Sequence, residues 1–146
     1  MKQLLLLSAF IISSCISFGQ YTFHATSYQT INIETDEESE TTTYYQIFSV
    51  SLRDKYLVHT VFGSYKDAVT DSQLYRIVEV TEDDEDGFTM ITCRSGVTGK
   101  EYIYLFNFDD EDNPIFARQV DEEEFTNYKG KLTTFKTYLQ EGEDDE

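Results

Sequence analysis

The stretch Tyr102-Ile103-Tyr104-Leu105-Phe106-Asn107-Phe108 decides the architecture of this chain. In an extended strand successive side chains point to opposite faces. Tyr102, Tyr104, Phe106 and Phe108 therefore share one face, and Ile103 and Leu105 share the other. Residues 56–62 pose the same problem, with Tyr56, Val58 and Phe62 opposing Leu57 and Val61. A strand apolar on both faces must be covered on both. A flat single-layer sheet supplies only one cover, so either the sheet curls into a barrel or another element packs on its outer side.

The C-terminal region offers such an element. Phe125, Tyr128, Leu132, Phe135 and Leu139 recur at alternating steps of three and four, which predicts one face of an amphipathic helix over 121–140. Asp121 with Glu124 three residues on reads as a capping pair, and an acidic first turn suits the helix dipole. Gly130 weakens that helix by about 1 kcal/mol relative to Ala. The acidic tail 141–146 is too charged to bury and is expected to be disordered.

Elsewhere the chain is rich in Tyr, Phe, Ile, Val and Thr, which suit a pleated surface. Apolar alternation marks strands at 21–33, 47–52, 56–62, 74–80, 88–94, 102–108 and 115–120. Arg53-Asp54-Lys55, Asp86-Gly87 and the segment 96–100 read as turns, a longer loop spans 63–72, and Asn113-Pro114 introduces the last strand. Short connections make neighbouring strands antiparallel. The predicted fold is mainly β: a single antiparallel meander of about seven strands, curled into a small or partly open barrel, with one C-terminal helix packed on it.

Residues 1–19 do not belong to that fold. Lys2 precedes the apolar run LLLLSAFII at 4–12, and small residues end at Ser17-Phe18-Gly19 before Gln20. Spanning a bilayer takes roughly 20 apolar residues, so the run has the size of a cleavable signal peptide and not of a transmembrane segment. Export with cleavage near Gly19, to the periplasm or outside the cell, is the expectation. The alternative is a lipoprotein anchored through Cys15, because Ile12-Ser13-Ser14-Cys15 resembles a bacterial lipobox. Residues 20–140 then form one domain, able to bury roughly two-thirds of its unfolded surface without disulfides. Cys93 remains alone, so no intrachain disulfide forms, and a lone strand thiol reads as a small buried hydrophobe.

The full chain carries a formal charge of −17, with acids clustered at 35–40, 82–86, 109–112, 121–124 and 141–146. Such a surface repels nucleic acid and favours cationic protein partners and divalent metals. Calcium takes six to eight oxygens, and Glu82, Asp84, Asp86 and Gly87 resemble the opening of a calcium loop. The twelfth position, which should be acidic, is Cys93, while Asp109, Glu111 and Asn113 run into Pro114. The weak metal candidates are thus Asp84, Asp86, Asp109 and Glu111, with solvated hairpin turns as the plainer reading.

Catalytic candidates reduce to His24, His59 and Cys93. Arg94, which could activate the thiol, lies on the opposite face of an alternating strand. His59 shares parity with Leu57 and Val61, as a satisfied histidine would, and His24 lies on the polar face of Thr22 and Thr26. No G-x-S-x-G, H-E-x-x-H or phosphate-cradling glycine loop occurs, so neither an enzyme nor a cofactor is expected.

In strand order and following helix the chain is similar in outline to secreted lipocalin-like barrels, although it has no Trp. The leader ending ISFGQ resembles those of secreted proteins of flavobacterial type. The barrel resemblance implies that rings line a cavity for a small apolar ligand, whereas small barrels are commonly filled by their own side chains. The expected function is an exported, monomeric, non-enzymatic binding or interaction domain with an acidic surface. A calcium-dependent structural or adhesion module and a small-ligand barrel are the alternatives.

Overall fold

The structure is a computed structural model and describes residues 20–64 and 69–133. Nine strands occur among them: β1 Gln20–Asn32, β2 Glu37–Glu38, β3 Thr42–Ser51, β4 Tyr56–Gly63, β5 Asp71–Asp83, β6 Phe88–Ser95, β7 Glu101–Asn107, β8 Ile115–Gln119 and β9 Glu124–Thr133. Each barrel strand pairs antiparallel with the next, and β1 also pairs with β9, from Thr22↔Thr133 to Asn32↔Glu124. The result is a closed eight-stranded antiparallel barrel with β2 as an extra short strand. β2 pairs with β1 at Ile31↔Glu38 and Asn32↔Glu37, so β2 and β3 are two pieces of one return strand.

Two sequence expectations are corrected. The predicted helix over 121–140 is absent where it is described, because 124–133 is the closing strand β9. The predicted count of seven strands becomes eight in the barrel for the same reason. Closure gives partners to the edges of β1 and β8 together, which a packed helix would leave open. Thr126 and Tyr128 are buried while Lys129 and Lys131 are exposed, a period of two that the accidental three-four spacing of the apolar residues masked. Asp121 does accept backbone hydrogen bonds, from the N–H groups of Glu123 (2.9 Å) and Glu124 (2.8 Å), but it caps a hairpin turn. Phe135, Leu139, the acidic tail and the leader lie outside the described residues. No helix among the described residues is long and apolar enough to cross a membrane.

Expectations for the central strands match the structure. Tyr104, Phe106 and Phe108 are buried, with Tyr102 packed against them. Gly87 turns the β5–β6 hairpin with φ 70°, where L side chains are strained. Three bulges reset the alternation, at Thr26 in β1, Phe62 in β4 and Val78 in β5. The Thr26 bulge lets Phe23 and Tyr28, of opposite parity, both reach the interior, where they pair with Leu132 and Tyr128.

Candidate functional site

The barrel interior differs between its two ends. Around the start of β1, the end of β7 and the start of β8, rings fill it: Tyr21, Phe23, Phe106, Phe108 and Phe116 stack or tilt on one another at centroid distances of 4.7–6.4 Å. The opposite end is polar. Register places Gln46, His59 and Gln73 on the inner face beside Phe48 and Leu57. It also sets Arg118 directly across from buried Tyr104 on one side and buried Thr126 on the other.

Most polar groups at this end have partners. Gln46 Oε1 can only accept, so His59 carries its proton on Nε2 and donates it at 2.7 Å. The imidazole stacks on Phe48 with centroids 4.3 Å apart. On β5 the Tyr75 hydroxyl donates to Gln73 Oε1 (2.6 Å), and Gln73 Nε2 donates to Asp71 Oδ2 (2.9 Å). Two groups stand apart. The Tyr104 hydroxyl is buried and is the one such side-chain atom among the described residues with no hydrogen-bond partner. Arg118 forms no hydrogen bond or ion pair among the described residues, where the one ion pair is Arg94–Glu101 at 2.6 Å on the outside.

The electrostatics set protonation states. Burial, and then the Arg118 charge, lowers His59 to about 4, against a smaller opposing pull from Asp71. Burial raises Tyr75, Tyr104 and Tyr128, and the Arg118 charge opposes it at all three. At neutral pH this end therefore presents a neutral imidazole and protonated phenols.

An opening in the wall reaches Arg118. Ladder pairing between β7 and β8 stops at Tyr104↔Arg118, and the strands then part. The cleft between them measures about 360 Å³ and is lined by Glu101, Tyr102, Ile103, Arg118, Gln119 and Val120. That falls in the size range of small-ligand sites.

The other sequence candidates are separate from this end. Cys93 is fully buried between Ile77 and Tyr102, its thiol pushed up to about 12 by burial, while neighbouring Arg94 faces outward to Glu101. Such a thiol is inert packing. His24 pairs with Ile47 and Lys131 on the outer face. The turn holding Asp84 and Asp86 touches the loop holding Asp109 and Glu111, through Asn107 Nδ2 donating to the Asp86 carbonyl (3.1 Å). Among the described residues no three His, Cys, Asp or Glu side chains converge as a metal site. The Tyr21 hydroxyl is raised by burial and then by the nearby charges of Asp109 and Glu82.

His59 makes stability depend on pH. Its folded pKa of about 4 lies below the ordinary 6.5, so the unfolded chain binds a proton more readily. The contribution is complete above pH 6.5 and is lost as pH falls through 4, about 3 kcal/mol in all. Urea unfolding at pH 7 and pH 4 of wild type and His59→Gln checks this. The wild-type advantage shrinks by that amount on acidification, and a pH-independent difference would contradict the assignment.

Arg118 went unnoticed in the sequence, though its parity with Phe116 in 115–120 places both on one face. Comparison with family models, curated proteins and solved structures finds no match to this chain.

Proposed function

We propose that this chain is an exported, non-enzymatic binding barrel that takes a small ligand at its polar end. One observation carries the reading: the interior is filled with rings at one end, while the other holds an arginine with no counter-charge bonded to it, beside an open cleft. Unpaired charge and orphaned hydroxyls are costly to keep in a folded protein, and they persist where function uses them. The leader supports export, and the buried thiol and outward His24 argue against nucleophilic chemistry. The acidic clusters at 35–40, 82–86, 109–112 and 121–124, sited at turns and loops between strands, keep such a barrel soluble.

The test is a fragment screen, neutral and charged, against ¹³C-tyrosine-labelled protein followed by NMR. Binding fragments shift Tyr75, Tyr102, Tyr104 and Tyr128 and leave Tyr21 at the ring-filled end unmoved. Fragments that bind without shifting any of these four, or none that bind at millimolar concentration, would remove the proposal.

A further inference from the structure

We infer that the β7–β8 cleft binds the carboxylate of a small organic monoanion, with the Arg118 guanidinium as its donor. The inference rests on the binding-barrel reading and deepens it by naming the ligand class.

Four observations lead there. First, the donor is free: Arg118 is bonded to no described residue. Second, Arg118 lines the cleft. A guanidinium fork matches the two oxygens of a carboxylate, and charge-assisted hydrogen bonds of this kind are strong. Third, the polar side chains around Arg118 have partners of their own. His59 is neutral and committed to Gln46, the Tyr75 hydroxyl is committed to Gln73, and Glu101 is held by Arg94. Fourth, the charge count limits the ligand. Asp71 lies near enough to act on both His59 and Tyr75, and the whole chain carries −17. A dianion such as phosphate would meet stronger repulsion from these carboxylates than a monoanion does. The cleft wall adds the Tyr102 ring with Ile103 and Val120, which suits an apolar or aromatic body behind the carboxylate.

The test compares benzoate with its neutral isostere benzamide and with inorganic phosphate at equal ionic strength, on the full chain. Binding is read by tyrosine NMR shifts and calorimetry. Benzoate is expected to bind and to shift Tyr102 and Tyr104, with benzamide and phosphate weaker by about tenfold or more. Arg118→Gln reduces benzoate binding by a similar factor, and Arg118→Lys restores part of it.

Benzamide binding as tightly as benzoate would overturn the carboxylate assignment and leave the binding barrel standing. Phosphate matching benzoate would overturn the monoanion assignment. No shift at the polar end with any of the three, nor with the wider fragment set, would overturn both readings. Since the three-probe comparison uses wild-type protein, misfolding of a variant does not spare the proposal.

Discussion

Replacing Phe116 by Ala lowers the unfolding free energy by about 3–5 kcal/mol, enough to unfold a marginal domain at ambient temperature. Phe116 is fully buried, and six rings surround it: Phe23, Phe48, Tyr104, Phe106, Phe108 and Tyr128, at 4.7–6.4 Å between centroids. They come from β1, β3, β7 and β9 and from Phe108, just past β7, so the deletion opens a void that no single strand can close. The strands are tied into a ring and cannot collapse inward independently, which places the cost toward the upper part of the range. The neighbouring residue provides the contrast. Ile115 is 41% exposed on the outer face, and Ile115→Ala costs below about 1 kcal/mol. Urea denaturation of both variants tests the inside-outside assignment of β8; equal losses would contradict it.

Gly130→Ala destabilises by about 3 kcal/mol, the reverse of what a glycine-to-alanine change in a strand ordinarily does. In an unstrained strand the added methyl limits the unfolded chain and gains about 0.5–1 kcal/mol. Here Gly130 pairs with Ala25 beside the Thr26 bulge, and a Cβ would overlap the His24 carbonyl and lie 2.8 Å from Ala25 Cα. Both obstacles are main chain, so the β1–β9 seam must part to make room, and overpacking of this kind outweighs the entropic gain. Amide hydrogen exchange checks the mechanism together with the denaturation midpoint. Protection falls first along β1 and β9, while β5 and β6 hold theirs. A variant as stable as wild type would refute the close approach.

The two glycine readings show where the sequence was informative and where it misled. Gly87, after Asp86, marked a turn needing positive φ, because the dipeptide itself encodes the geometry. Gly130 was read as a weak point in a helix, because nothing local announces that another backbone passes within contact distance. The face assignment of 102–108 was legible because every residue in it is decisive. Segment 121–133 was not, since Phe125, Tyr128 and Leu132 fit a helical stripe although Phe125 lies on the outside, paired with Ile31, and Tyr128 inside. Asp121 strengthened the error, because an aspartate that accepts the N–H groups two and three residues on serves a hairpin turn as well as a helix start. Losing that strand hid the closure. Of the candidate site, His59 was read correctly from parity, but Arg118 needs knowledge of which strand lies opposite, and Tyr104 gave no sign that its hydroxyl lacks a partner.

Joining the first strand to the last also orders events in time. β1 leaves the ribosome about a hundred residues before its second neighbour, and a contact that distant in sequence is slow to form. Until then both rims of the meander are bare, so the nascent chain stays unlocked and threadable throughout synthesis. Were the chain exported, as proposed above, that delay would keep it in the state that translocation requires.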